Sequence, residues 1–494
     1  IVQGNLDVVF LTGNPGDGKT SFLQQIEKEL RALGAQGENH SWGWLLEVQG
    51  RMFHAIYDAS ESYEDMTSDD LVTSALSKVS EGSYTALLAV NDGRLRQFFL
   101  DNTEAFPEFA DEVELFFKGL KTSLPRFAIV DLKMRSLAAT DGPQIAVAIM
   151  DKLTNQEAWK ICENCSSKPQ CPSFNNSTQM AGPSREKISR LLLTSHLRRT
   201  KRATLRQIRS TLGYLITADL SCEDVHEAVV NNEDLSSTSG SLGELAFGAA
   251  SQDPLIQEWA RLDPAKLVSP VVDRLLRSDY APKSAEGEAE THSTFMRNHF
   301  LGLRDSSESL EFAIPNGESS FYKYIDEYIA ILADPGKPEY KSRILKGVSR
   351  LIGAYGYDGP DLAVSQERGH SDWAVLKPSF EQEFMLKAND FDSQYVEFFP
   401  DLLILTHVSG AQLNISLDTA EVILGAADGG LFGDYETDAV RFDVEGFGVK
   451  LLRQVSENVI VVEPSGVAHE IRVANGKLTL IQSPDTSTNR GDLN

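Results

Sequence analysis

Apolar and polar positions alternate in blocks along the first 130 residues. Val8 to Leu11 form a wholly apolar run, which predicts a strand buried on both faces. Glycines and a proline stop it, and "SFLQQIEKELRAL" follows with Phe22, Leu23, Ile26, Leu30 and Leu33 at helical spacing. "RMFHAIYDASESYED" reads as a second strand ending at Asp58, with Glu61 just past it. "TSDDLVTSALSKVSEG" reads as a helix capped by Thr67 or Ser68. "YTALLAVNDGRLRQFF" predicts another buried strand that ends at Asn91-Asp92-Gly93 before a helix. "EFADEVELFFKGLKTSLP" is helical, and "RFAIVDLKM" is a further short strand. Alternating strands and helices predict an α/β fold, a parallel sheet with helices on both faces. Ligands of such sheets bind at the carboxyl ends of the strands, where Asp58, Asn91 and the first glycine loop fall.

The pattern then changes. "RATLRQIRSTLGYLI" predicts a helix with Leu205, Ile208, Leu212 and Leu215 on its core face, leaving Arg206 and Arg209 off that face. "NNEDLSSTSGSLGEL" reads as a flexible joint, and "YAPKSAEGEAETHS" as an acidic linker. A helical stretch runs from about Thr294 to Tyr355. The end is β-rich: "FFPDLLILTHV", "QLNISL" and "NVIVVEP" read as strands, and "DTAEVILGAADGG" as a helix capped by Asp418. In "HEIRVANGKLTLIQ" the pair Asn475-Gly476 signals a type I′ hairpin turn. The expected organisation is a core over 1–150, a helical lid with a cysteine-rich insertion over 151–235, a helical region with linkers over 236–355, and a β-rich α+β domain over 356–494.

Composition narrows the class. A chain of 494 residues with 41% hydrophobic content is long enough for about three domains with real cores. No apolar run approaches membrane-spanning length, so no membrane association is expected. The sequence starts at Ile1, close to the first strand, so no signal peptide is read, and the missing Met suggests that residues precede it. Four cysteines in so long a chain make no disulfide scaffold, and a reducing, cytoplasmic setting is expected. The net charge of −26 argues against general coating of nucleic acid. Residues 185–209 nevertheless hold nine Lys or Arg against one acid, Glu186, which could meet DNA or RNA phosphates or an acidic neighbour. No aromatic residues interleave with those charges, so base-specific readout is not expected.

The chemistry concentrates at "GNPGDGKTS", Gly13, Asn14, Pro15, Gly16, Asp17, Gly18, Lys19, Thr20 and Ser21. Gly13-x-x-x-x-Gly18-Lys19-Thr20 is the P-loop spacing: backbone N–H groups cradle phosphates, Lys19 reaches the β- and γ-phosphates of ATP, and Thr20 holds Mg²⁺. Such a site needs a second acid for Mg²⁺ and a polar group that orients water. Asp58 is the candidate for the first role and Glu61 for the second, with Asp92 in reserve for the metal. The adjacent Asp-Glu pair of the usual Walker B motif is replaced by Asp-Ala-Ser-Glu. Elsewhere, "WKICENCSSKPQCP" sets Cys162, Cys165 and Cys171 as C-x₂-C-x₅-C. With Cys222, or with His226 or His196 in its place, these fit a structural Zn²⁺ site; the alternative is a reduced, metal-free loop with Cys222 buried.

Over residues 1–230 the chain resembles bacterial AAA+-type ATPases of anti-phage defence, and in particular the ATPase subunit of DNA-phosphorothioation-dependent restriction systems. "GNPGDGKTSFL", "YDASES", "LLAVNDGRLRQFF", "DLKMRSL" and the cysteine insertion carry the likeness. The resemblance implies a helical lid and a ring-forming homo-oligomer that serves an effector protein. It also implies site roles. Asn91 takes the place of the sensor 1 residue. Arg126, in "SLPRFAIVDL", takes that of the finger that enters a neighbouring subunit's site. Arg202, Arg206 or Arg209 takes that of sensor 2, with Arg206 the foremost candidate. A STAND-like assembly switch and a non-catalytic nucleotide-binding scaffold are the competing readings.

Overall fold

The computed structural model describes residues 1–482 apart from 2, 4, 64–65, 80–81, 137–144, 199–202, 232–234, 236–239, 249–250, 267–269, 278–290, 304–322, 353–361, 366–374, 380–382, 391–395, 397, 430–434, 455–457, 463–467 and 475–476. Its first element is a six-stranded sheet built from β1 (Val8–Thr12), β2 (Gln36–His40), β3 (Gly43–Val48), β4 (Arg51–Ile56), β5 (Tyr84–Ala89) and β6 (Phe127–Asp131). The strand order is β2-β3-β4-β5-β1-β6. β4, β5, β1 and β6 run parallel, in the register Val8↔Ala86 and Val8↔Phe127.

The two-residue period of a strand decides which core each side chain joins. Val8, Phe10, Leu88 and Ile129 face one core, under α2 (Ser68–Ser77), α3 (Asp92–Asp101) and α4 (Pro107–Phe117). Val9, Leu11, Leu87 and Val130 face the other, with Leu23, Ile26 and Leu30 of α1 (Lys19–Ala32). The expected α/β architecture is therefore present, with two corrections. First, β2 and β3 form an antiparallel meander ahead of β4, so the sheet is not wholly parallel. The β2 sequence, Gln36-Gly-Glu-Asn-His40, is polar throughout and lies at the sheet edge, so hydrophobic patterning gave no sign of it. Second, Phe22 and Leu33 are 37% and 54% exposed, so the apolar stripe of α1 is narrower than its sequence suggests. Thr67 is the cap of α2, in a reciprocal capping box with Asp70.

Helices then dominate: α5 (Ile145–Leu153), α6 (Gln156–Trp159), α7 (Pro172–Ala181), α8 (Arg185–Arg198), α9 (Leu205–Thr217), α10 (Cys222–Val230), α11 (Leu242–Phe247), α12 (Pro254–Trp259), α13 (Pro270–Leu276), α14 (His292–Phe300), α15 (Lys323–Ala333) and α16 (Pro338–Leu351). Ile208, Leu212 and Leu215 of α9 are buried, as its periodicity predicts. The acidic linker expected around residues 280–293 falls mostly outside the described residues.

The C-terminal part holds two antiparallel sheets. One is β11-β10-β9, from β9 (Phe384–Ala388), β10 (Leu403–His407) and β11 (Gln412–Ile415). The other is β14-β13-β12-β8-β7, from β7 (Leu362–Ser365), β8 (Val375–Ser379), β12 (Asn458–Val462), β13 (Ala468–Ala474) and β14 (Lys477–Gln482). Ala474 pairs with Lys477, so β13 and β14 form the expected hairpin; Asn475 and Gly476 themselves lie outside the described residues. Two helices belong here, α17 (Leu417–Ala427) and α18 (Tyr435–Gln454), and the second was not read from sequence. The cap of α17 is Ser416, whose hydroxyl accepts from Thr419 N; Asp418 sits in the first turn instead.

One apolar core crosses the expected boundaries at 235 and 355, joining Leu191 and Leu212 to Ile325, Leu345, Leu405 and Leu424. A separate contact ties the C-terminal part to the first sheet. Val396 enters the core beside α1, and the backbone N–H of Phe399 donates to Ser136 Oγ at 2.7 Å.

Candidate functional site

The loop between β1 and α1 bends through glycines in the left-handed region: Gly16 at φ 97° and Gly18 at φ 94°. A side chain at either would be strained, and it would also strike the lid. A Cβ on Gly18 would lie 2.6 Å from Leu205 Cδ1, and one on Gly16 would lie 3.0 Å from Arg206 Cβ. The loop thus turns tightly into α1, whose start has no side-chain cap and where the helix dipole favours an anion.

Lys19 opens α1 and is buried. Its Nζ donates to the carbonyls of Gly13 (2.9 Å) and Asn14 (3.2 Å) and to Asn91 Oδ1 (3.2 Å). Burial pulls its pKa below the ordinary value, against the opposing charges of Asp58, Asp17 and Asp92. Asp17 turns back into the loop, accepting from Asn14 N at 2.6 Å, and burial pushes its carboxyl up. Thr20 Oγ1 donates to Tyr57 O at 3.4 Å.

Parallel pairing brings the ends of β4 and β5 beside this loop. Ala59 N donates to Ala89 O at 2.7 Å. Asp58 Oδ1 accepts from Ser60 N (2.9 Å), and Ser60 Oγ accepts from Asn91 N (2.9 Å). Asp58 and Asn91 are therefore set on one rigid corner. Lys19, Thr20, Asp58, Glu61 and Asn91 line a single cleft of about 910 Å³, within the size range of small-molecule sites.

Helix α9 lines the same cleft. Thr204 and Gln207 form a capping box at the start of α9, and Arg206 N donates to Gly16 O at 3.2 Å. Arg206 and Arg209 line the cleft, and Ile149, Leu153 and Leu205 give it an apolar wall. Arg202 lies outside the described residues.

Behind the loop is a group that sequence reading missed. Lys133, two residues past the end of β6, is ion-paired with Asp92 and lies 3.6 Å from Asp131 Oδ2. Asp92, the reserve metal acid, is engaged in this pair. The available signal was position: Lys133 follows the carboxyl end of a strand paired with β1, the side of the sheet where ligands bind.

Arg126 is not gathered into this cleft. It precedes β6, so five strand residues at about 3.3 Å each separate it from the carboxyl edge. There its guanidinium grips both oxygens of Asp7, each at 2.8 Å, with φ at 62°. Arg51 joins Asp7 from β4. Burial raises the Asp7 carboxyl, but the hydrogen bonds and charges of the two arginines outweigh it and hold the carboxyl below its usual value.

Several charges of the basic stretch have partners within the chain. Arg185 pairs with Asp151, Arg190 with Asp326, and Arg198 with Asp418 and Glu421, while Arg206 and Arg209 face the cleft. Arg199, Lys201 and Arg202 lie outside the described residues.

All four cysteines are free thiols. Cys162 lies in a 3₁₀ turn that Cys165 follows, Cys171 is the residue before α7, and Cys222 opens α10. Burial raises the Cys162 thiol, and Cys171, Cys222 and Cys165 raise it further, so the four share one neighbourhood. Cys165 Sγ sits 3.3 Å from His226 Nε2, whereas His196 is buried on α8. Cys222 is exposed, against the alternative that buried it. Among the described residues no three His, Cys, Asp or Glu side chains are arranged closely enough to hold a metal ion.

Among the described residues, no helix is long and apolar enough to cross a membrane. No protein-family model, curated protein or solved structure matches this chain.

Proposed function

We propose that the chain binds Mg²⁺-ATP in this cleft and hydrolyses it, as an AAA+-like ATPase that works as a homo-oligomeric ring. The observation that carries the reading is the setting of Lys19. It is a buried ammonium held by two carbonyls of its own loop and by Asn91, one residue from Thr20 and facing Asp58 across the cleft. A cation so placed neutralises a phosphate chain lying along the loop amides. Thr20 and Asp58 would hold Mg²⁺, which supplies charge neutralisation across the β- and γ-phosphates. Glu61 would orient the attacking water, Asn91 would fix Lys19, and Arg206 with Arg209 would meet phosphate from the lid. The apolar wall of Ile149, Leu153 and Leu205 suits a base.

The motor or switch subunit of a bacterial anti-phage complex is the wider proposal, with the effector on a partner protein and nucleic acid as a further partner through residues 185–209. The lid bonded directly to Gly16 favours a second reading, a STAND-like switch in which nucleotide sets assembly. A zinc ion on Cys162, Cys165, Cys171 and Cys222 is proposed for the lid; the shared neighbourhood of the four thiols supports it, and binding would have to draw them closer together.

Steady-state turnover tests these readings. Wild-type protein should hydrolyse ATP continuously, and Lys19→Ala and Asp58→Ala should each abolish it. Slow turnover with trigger-dependent assembly favours the switch; none, with tight retention of nucleotide, favours a scaffold. Normal hydrolysis by Asp58→Ala would remove Asp58 from the metal site.

A further inference from the structure

Three aspartates and two lysines crowd the back of the glycine loop. Asp17 belongs to the loop, Asp92 is the first residue of α3, and Asp131 is the last of β6. Asp17, Asp131 and Lys19 are all more than nine-tenths buried. Lys133 reaches both Asp92 and Asp131, and its backbone N–H donates to Asp131 Oδ1 at 3.0 Å.

We propose that Lys133 is a positioning residue of the nucleotide site: by holding Asp92 and Asp131, it keeps Lys19 available to the phosphate chain. The inference rests on the ATP reading above and assigns a role to a residue outside the P-loop pattern.

Charge balance gives the physical reason. Asp58, Asp17 and Asp92 all act on Lys19 through space. Without a second cation, Lys19 alone would face Asp17 and Asp92 and the anionic ligand together. Fields between groups this close and this buried are only weakly screened. Lys133 neutralises the rear acids and leaves Lys19 directed at the cleft.

Geometry adds a second reason. Asp92 directly follows Asn91, whose Oδ1 accepts from Lys19. The ion pair with Lys133 therefore anchors the start of α3 to the end of β6, across β1, and fixes the acceptor that Lys19 uses. The anchor is itself held. Asp131 lies in register with Thr12 at the base of the loop, and Ser136 is tied to the backbone of Phe399. Lys133 thus sits on a segment fixed at both ends.

The groups facing Lys133 also set a pH signature. They are Asp92 on α3, Asp131 on β6 and Asp17 in the loop. Burial already pushes the Asp17 and Asp131 carboxyls up, and Lys133 opposes that rise at both. Removing its charge lets them rise further, so they take up protons at a higher pH than in the wild type. Protonation would then restore the lost balance in acid.

The test is Lys133→Met in the full chain, with KM and kcat for Mg²⁺-ATP measured from pH 5 to pH 8 and equilibrium binding of an ATP analogue measured beside them. The expected result is a KM raised about tenfold at pH 8, the equivalent of about one pKa unit of lost charge compensation. The gap should narrow toward the acid end of the range, and kcat should fall no further than in Asn91→Ala, whose contact with Lys19 the ion pair supports. Lys133→Arg should behave as wild type. Asp92→Asn added to Lys133→Met should recover much of the affinity by removing the uncompensated carboxylate; this also keeps the proposal testable if the single variant folds poorly. A KM and pH profile unchanged in Lys133→Met, while wild type binds ATP, overturns this proposal and leaves the ATP reading intact. A loss independent of pH, matched by a lower melting temperature and not recovered by Asp92→Asn, also overturns it in favour of a structural role. Wild-type protein that binds no ATP analogue overturns the nucleotide reading and this proposal with it.

Discussion

Lys19 Nζ and Asn91 Oδ1 meet at 3.2 Å, joining the first residue of α1 to the cap position of α3. The bond ties together the two loops that β1 and β5 deliver side by side at the carboxyl edge. Asn91 also gives its backbone N–H to Ser60 Oγ, so it is fixed from the Asp58 side as well.

Asn91→Ala should therefore loosen Lys19 without removing its charge. Two loop carbonyls still hold the ammonium, so affinity for ATP should change little. Turnover should fall about tenfold to a hundredfold, because one aligned donor–acceptor contact is lost where charge develops. Steady-state kinetics beside equilibrium binding separates the two effects. An unchanged kcat would limit Asn91 to a structural tie between the two loops.

A second prediction concerns stability rather than chemistry. His54 is buried on β4 with its Nδ1 2.6 Å from the Tyr84 hydroxyl. Burial, aided by Lys78 and His40, pulls its pKa from the ordinary 6.5 to about 4. Between these values the unfolded chain binds a proton that the folded chain refuses. The stabilisation is thus complete above pH 6.5 and drains away as pH falls toward 4. The whole difference converts to about 3 kcal/mol, and about 2 kcal/mol of it should be gone by pH 5. Urea midpoints at pH 7 and pH 5 should show His54→Gln with the smaller acid loss, since glutamine keeps a partner for Tyr84 and carries no titration. Equal losses in both proteins would mean that His54 takes up its proton in the folded state.

These residues show why some of the molecule was legible and some was not. Wholly apolar runs such as Val8 to Leu11 announce strands buried on both faces, so β1, β5 and β6 could be placed from sequence. The edge strand Gln36–His40 buries almost nothing and carries no such mark. Lys19, Thr20, Asp58 and Asn91 were legible because their chemistry sits at strand ends in a fixed order. Lys133 was not, because its partner Asp92 lies 41 residues earlier and the pair exists only once β6 is laid beside β1. The basic stretch holds a similar case. Charges at 185–209 look solvated in one dimension, yet Arg198 finds Asp418 and Glu421 more than 200 residues later.

The cysteine cluster supports a third prediction. Protein kept reduced from lysis onward should carry about one zinc per chain by elemental analysis. Cys162→Ser with Cys165→Ser should remove it and lower the melting temperature of the lid. Replacing His226 by Ala tests the contact with Cys165: retained zinc leaves Cys222 as the fourth ligand, and lost zinc gives that place to His226. Reduced wild-type protein without bound metal would exclude the site.

The final prediction turns on the position of Arg126. Its guanidinium lies at the amino edge of the sheet, a full strand away from its own cleft, and is half-exposed while held by Asp7. A residue there has no route to the phosphates of its own subunit, so any role in hydrolysis must be exercised on a neighbour. Arg126→Ala should then leave the ATP affinity of the isolated subunit nearly unchanged. Turnover of the assembled protein should fall steeply, since arginine fingers are worth about 10³ to 10⁵ in rate. Asp7→Asn should act in the opposite sense or not at all, because it weakens the grip that a finger must release. Mixing Arg126→Ala with Lys19→Ala should restore part of the activity, each variant supplying the half-site that the other lacks. Mass measurement has to establish that mixed oligomers form before the rates are compared. Mixed oligomers that stay inactive, with Arg126→Ala alone at full activity, would assign Arg126 to the Asp7–Arg51 cluster as a structural residue. Phosphate contacts would then rest on Arg206 and Arg209, which already face the cleft from the lid.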